Sequence, residues 1–233
     1  MAYKVIKSYA KINIALNIIG KTTNLHRIES IVAFVSLHDV IFIKKIQSQK
    51  HVIIFRGKFS KGIPKDNSIL KLFSILEKKK LLKNQKFKIK IDKNIPLKAG
   101  LGGGSMNAAS VFKYLIKHKI IKPSRKQINS ICKSIGSDVI LGLNYTYSIL
   151  KSNSEIKQLK NCKKFYTLIV KPNFGCSTKL IYAEVKEFSK SKLNKPSKRM
   201  IKFNYLKNLN NSLEPIAFSK FPKLQSIKHY LEK

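Results

Sequence analysis

The sequence predicts an α+β fold. Apolar residues alternate at period two through much of the first half, a glycine-rich segment then opens onto a 3.6-residue helical pattern, and the C-terminal part carries short helical patterns. At 233 residues the chain exceeds one ordinary domain without filling two, so one full domain and one smaller one are expected. The polar stretch Lys151 to Lys160 reads as a linker, which divides the chain into residues 1–155 and 156–233.

Each element has a local reason. In AKINIALNII, residues 10–19, Ile12, Ile14, Leu16 and Ile18 share one face of a strand and Lys11, Asn13, Ala15 and Asn17 the other. Further strands are expected at Ile28–Ser36, Val40–Ile46, Val52–Phe55, Phe87–Ile91 and Phe165–Val170. Asn67 or Ser68 caps a helix through Leu70, Phe73 and Leu76. After the glycines, Ala108, Phe112 and Leu115 line one face of a second helix. Ser124 and Gln127 form a capping box for a third, with Ile128, Ile131, Cys132 and Ile135 inward and Gly136 ending it, so that Ser137 and Asp138 lie just beyond. Two short helices follow Asn208–Leu213, the second carrying Leu224, Ile227 and Leu231.

Composition narrows the function classes. No apolar run approaches the roughly 20 residues that span a bilayer, and lysines interrupt the N-terminal apolar residues where a signal peptide would be continuous. A cytoplasmic protein without a membrane partner is expected. Cys132, Cys162 and Cys176 have neither disulfide-framework nor zinc-site spacing, and no metal ligands are assigned. The formal charge of +37 is almost all lysine, with arginine only at 27, 56, 125 and 199. Nucleic-acid readers favour the bidentate arginine fork, and these lysines are scattered over every segment, so a solvated basic surface is the expectation and nucleic acid is not the expected partner. Polyanionic small molecules would still be steered in.

The segment Pro96, Leu97, Lys98, Ala99, Gly100, Leu101, Gly102, Gly103, Gly104, Ser105 and Met106 carries the chemistry. Glycines let backbone amides approach phosphate oxygens, and a helix starting near Ser105 adds unpaired N–H groups and its positive dipole end. The GK[ST] ending of a P-loop and the GxGxxG of a dinucleotide fold are both missing. On residues alone, Lys11 is equally a surface lysine, Asp138 a helix-stop turn residue, His26 a loop histidine and Tyr182 a core residue.

These strings resemble a known family. The Pro96-to-Ser105 loop is similar to the phosphate-binding motif of GHMP kinases, and GLGGGSMNAA together with AKINIALNIIG resembles the 4-diphosphocytidyl-2-C-methyl-D-erythritol kinase family. Ala10, Lys11, Ile12, Asn13, Gly20, His26 and Glu29 fall in register with that family's N-terminal motif, and GSDV, PNFGCST and NSLEPIAFSKFP resemble later blocks. The resemblance implies a GHMP kinase fold, an N-terminal domain like the second domain of ribosomal protein S5 and a shortened ferredoxin-like C-terminal domain. It implies ATP and Mg2+ as cofactors, a diphosphocytidyl-methylerythritol alcohol as substrate, and a monomer or homodimer. By this likeness Asp138 is the base, Lys11 the catalytic lysine, residues Pro96 to Met106 bind ATP, and Asn13, His26 and Tyr182 bind substrate.

The likeness has departures. Asn24 and Leu25 stand where the family has Gly-Tyr, Met106 replaces a serine of the ATP loop, Ile140 replaces a proline, and KSNSEI at 151–156 replaces a glycine-rich turn. The family continues into a C-terminal glycine motif that this sequence does not reach. A fragment, a degenerate homologue and a reduced enzyme all remain open as explanations.

Overall fold

The computed structural model describes residues 2–23 and 26–233, and of Lys179 the backbone only. Asn24 and Leu25, two of the departures, lie outside the described residues. The chain forms two compact units. The first comprises Met1–Lys11, Val35–Leu97 and Leu101–Tyr145, and the second Ile12–Phe34, Lys98–Gly100 and Thr146–Lys233. Two long strands, β1 (Lys4–Lys21) and β2 (His26–Ile46), supply residues to both. The second joins two strands that the sequence predicts separately.

In the first unit, β3 (Val52–Arg56) runs parallel to β4 (Lys86–Asp92), which pairs antiparallel with β2 in the register Val40 to Asp92 and Ile46 to Lys86. Helices α1 (Ser68–Lys78), α2 (Gly103–Lys117) and α3 (Arg125–Ile135) provide the other half of the core. Asn67 caps α1 by accepting from the N–H groups of Ile69 and Leu70, and Ser124 and Gln127 close the predicted capping box of α3. Ile41 and Ile43 of β2 and Phe87, Ile89 and Ile91 of β4 meet Leu72, Phe73, Phe112, Leu115 and Ile131 in one buried cluster. Each such side chain contributes about 1.5–3 kcal/mol when fully buried.

In the second unit, β5 (Tyr147–Leu150) pairs antiparallel with β2, Ser30 facing Leu150, and with β6 (Ile156–Leu159) on its other side. Short helices α4 (Thr178–Ala183), α5 (Phe203–Leu206), α6 (Glu214–Lys220) and α7 (Pro222–Leu231) follow. Ala15, Ile31, Ile149, Leu159, Leu193 and Ile201 form its core. The NSLEP string is fastened to β1. Ser212 donates its N–H to the Leu16 carbonyl at 2.8 Å, and its hydroxyl accepts the Ile18 N–H at 3.3 Å.

Two expectations need correction. The polar stretch Lys151–Lys160 is not a linker: its first residues make a turn closed by the Lys151 N–H on the Glu155 carbonyl at 2.8 Å, and the rest is β6. Phe165–Val170 is no strand. Phe165 packs on the core, but Tyr166, Leu168 and Val170 are exposed, and a strand without a ladder neighbour has nothing to satisfy its backbone except water. On the polar face of β1, Lys11 and Ala15 are buried and Asn13 and Asn17 half-buried.

Glu29, fully buried on β2, holds the second unit's long connection in place. It accepts from Asn17 Nδ2 (2.9 Å), Ser191 Oγ (2.8 Å) and the N–H groups of Lys192 (2.6 Å) and Leu193 (3.1 Å). Burial alone pushes its carboxyl upward, but these four donors outweigh that effect and hold it below the ordinary glutamate range. A depressed folded value means the stabilisation is complete above the unfolded value, near 4.3, and is lost as pH falls through the folded one. Urea unfolding of Glu29→Gln is therefore expected to lose less stability between about pH 5 and pH 3 than the wild-type protein. An identical pH dependence in both proteins would refute the assignment.

Candidate functional site

The first unit gathers the N-terminus of α2, Lys11 and Asp138. Helix α2 starts after Gly102, whose φ of 68° lies in the left-handed region and which offers no side-chain cap. The first helical bond within it runs from Met106 N–H to the Gly102 carbonyl at 2.9 Å. The amides of Gly103, Gly104 and Ser105 precede any intrahelical acceptor, and together with the dipole they make an anion cradle.

Lys11 reaches this turn from β1. Its N–H donates to the Leu101 carbonyl at 3.1 Å, and its side chain crosses the face of Gly102, where an added Cβ would lie 2.8 Å from Lys11 Cγ. The ammonium stands 3.1 Å from Asp138 Oδ2, with the lysine side chain 6% exposed and the aspartate side chain 31% exposed. Asp138 is placed by the end of α3. Gly136 closes that helix through its N–H on the Cys132 carbonyl at 3.0 Å, and a tight turn follows, with the Val139 N–H on the Gly136 carbonyl (3.2 Å) and the Leu141 N–H on the Asp138 carbonyl (3.1 Å). Val139 is fully buried and anchors the turn. Ser105 joins the two parts, since its hydroxyl lies 3.6 Å from where a Gly136 Cβ would be.

A partly exposed carboxylate beside a buried ammonium, next to unspent amides, can accept a proton while neighbouring positive charge stabilises an anion. The structure thus brings together Lys11, Asp138, Gly102, Gly103, Gly104 and Ser105. Pro96, Leu97 and Leu101 belong to the same unit. Met106 differs from the other loop residues. It is fully buried, its sulfur would lie 2.9 Å from a Cβ on Gly142, and its N–H is already bonded, so both side chain and amide are engaged within the protein.

In the second unit, Lys98, Ala99 and Gly100 form the middle of the loop, with left-handed φ of 53° at Lys98 and 71° at Gly100. His26 and Tyr182 come together, ring centroids 5.3 Å apart, and His26 Nε2 is buried with no protein partner among the described residues. Ser30 Oγ lies 3.1 Å from Asn13 Oδ1 and 2.6 Å from the Ala15 carbonyl, which fixes the Asn13 amide on β1.

Sequence reasoning missed two charged residues beneath the loop, Asp39 and Lys93. Both are buried and ion-paired to each other. The signal was present in the alternation: Phe87, Ile89 and Ile91 face inward, and Lys93 continues their parity, as Asp39 does for Ile41 and Ile43. Among the described residues no group of three or more His, Cys, Asp or Glu could hold a metal ion, and no helix is long and apolar enough to cross a membrane.

Residues 67–151 match the family model for the GHMP kinases N terminal domain. The chain is 53% identical over 226 residues to 4-diphosphocytidyl-2-C-methyl-D-erythritol kinase of Pelagibacter ubique, covering 97% of this chain and 80% of that protein. It is 33% identical over 233 residues to the enzyme of the same name from Caldicellulosiruptor bescii, covering 96% of this chain and 80% of the relative. Its fold matches the crystal structure of a 4-(cytidine 5'-diphospho)-2C-methyl-D-erythritol kinase with a TM-score of 0.70 at 22% identity, over 96% of this chain and 81% of the other. The mixed α/β architecture is the GHMP kinase fold, and the chain belongs to the 4-diphosphocytidyl-2-C-methyl-D-erythritol kinase family of that superfamily.

Proposed function

We propose that this protein transfers the γ-phosphoryl group of ATP to the 2-hydroxyl of 4-diphosphocytidyl-2-C-methyl-D-erythritol. The observation that carries the reading is the Lys11–Asp138 pair, 3.1 Å apart, beside the unspent first-turn amides of α2. Phosphoryl transfer asks for positioning and charge neutralisation more than covalent chemistry. The substrate oxygen attacks the γ-phosphorus, the bond from that phosphorus to the β–γ bridging oxygen breaks, and the hydroxyl proton passes to the Asp138 carboxylate. The Lys11 ammonium, 3.1 Å away, orients that carboxylate and offsets charge on the transferred group. The glycine cradle, with bare backbone at Gly102, Gly103 and Gly104, fits phosphate oxygens. Mg2+ neutralises phosphate charge when bound. Ser105 and Asp138 are the residues that would hold it, alongside the phosphate oxygens.

Asn13, His26 and Tyr182 are the proposed substrate residues. The pairing of an unpartnered buried histidine nitrogen with an aromatic face suits a nucleobase, which offers hydrogen-bonding edges and a π surface. A cytoplasmic location belongs to the same proposal.

The test is ADP release with ATP, Mg2+ and the diphosphocytidyl alcohol. Asp138→Asn is expected to abolish turnover while leaving ATP affinity within a few-fold; loss of ATP binding with turnover retained would sink the role. Gly102→Ala combines an unfavourable left-handed alanine, about 1–2 kcal/mol, with a collision against Lys11. It is expected to lower turnover at least tenfold. In a Lys11→Ala background, where Cγ is gone, its stability cost in urea should shrink to the backbone part alone.

A further inference from the structure

We propose that the buried Asp39–Lys93 pair is a positioning element for the nucleotide loop, acting on it from below through the backbone of residues 93–95 and the underside of the first turn of α2. The proposal rests on the kinase reading of that loop. Asp39 is 0% exposed and Lys93 2% exposed. The carboxylate takes the Lys93 ammonium on Oδ2, and on Oδ1 the N–H groups of Asn94 (2.7 Å) and Ile95 (2.8 Å). The next residue is Pro96, where the loop begins. The Lys93 N–H is held in turn by the Arg56 carbonyl at 2.7 Å, and Asn94 Nδ2 donates to the His38 carbonyl at 3.0 Å. Three consecutive residues ahead of the loop therefore have their amides committed, two of them to one side chain.

The lysine does a second thing. Its Nζ lies 3.3 Å from the position a Gly103 Cβ would take, and Ile95 Cγ2 lies 3.1 Å from it. Gly103 is thus seated on the same two residues that Asp39 fixes. A shift of this segment moves the Gly103 and Gly104 amides, which need placement within a fraction of an ångström to meet phosphate oxygens. A buried ion pair is weak evidence for a purely stabilising role, because a well-packed apolar pair of similar volume commonly serves as well. An apolar pair would not hold the Asn94 and Ile95 amides.

The deciding experiment compares binding of ATP, ADP and adenosine to wild-type protein and to the double variant Asp39→Leu/Lys93→Met, which removes both charges together. A loss of at least tenfold for ATP and ADP is expected, with adenosine within twofold and KM for the alcohol within threefold. A partly unfolded population would weaken all ligands equally, so an equal loss for adenosine and ATP, or full ATP affinity in the folded variant, overturns the proposal. Should the double variant not fold, Asp39→Asn, which keeps volume and an acceptor, is read the same way, with a threefold loss confined to the phosphorylated ligands. Wild-type protein that bound no ATP would overturn the nucleotide reading, and this proposal with it; wild-type binding unchanged in the variants would overturn only the role of the pair.

Discussion

Two lysine side chains pass within contact distance of the first turn of α2, and the backbone there has to be bare for both to fit. Lys11 crosses Gly102 on its way to Asp138, and Lys93 lies against Gly103 on its way to Asp39. Each lysine is drawn to its place by an aspartate held elsewhere in the same unit, one on the turn after α3 and one on β2. The helix start is consequently fixed from two directions. Preorganisation of this sort lets donors stabilise developing negative charge without rearranging at the moment of reaction.

The glycines illustrate how a sequence reading can rest on part of the cause. Glycine-rich backbone ahead of a helix predicts close approach to phosphate, and the open first turn agrees. Neighbouring side chains add a second requirement that a one-dimensional motif does not display. Gly102 needs a left-handed φ and also room for Lys11, Gly103 needs room for Lys93 and Ile95, whereas Gly100, at φ 71° with open space around it, needs only the conformation. Met106 shows the reverse. Its place in the loop string suggested exposure to nucleotide, but one helical position further along, the 100° step turns the side chain towards Gly142 and the core.

Legibility followed the range of the forces involved. Asn67 before α1, the Ser124–Gln127 box and the Gly136 stop are local hydrogen-bonding devices, and all three were readable because their partners lie within four residues. The alternation in β1 was readable too, but the burial of Lys11 was not, since the atoms around it come from Leu101, Gly102 and Asp138 far along the chain. Lys151–Lys160 misled because polar composition is common to linkers and to short hairpins; the bond from Lys151 to Glu155 decides for the hairpin. Phe165–Val170 misled in the opposite sense, having strand-like residues but no paired neighbour.

Charge has to be considered by location. With 48 lysines and arginines against 11 aspartates and glutamates, almost any exposed carboxylate finds a cation, and pairs such as Lys151–Glu155 or Lys220–Glu184 say little about design. Their field draws polyanions to the surface, but it fades over about 8 Å at physiological salt. The carboxylates of Asp39 and Glu29 are different because they are fully buried, where an ionised group persists only if its oxygens are occupied. Asp39 meets one ammonium and two amides, and Glu29, among the described residues, four neutral donors and no cation. In a chain so rich in lysine, a buried carboxylate satisfied without a lysine side chain among the described residues shows that geometry, and not the abundance of positive charge, selects which groups meet inside.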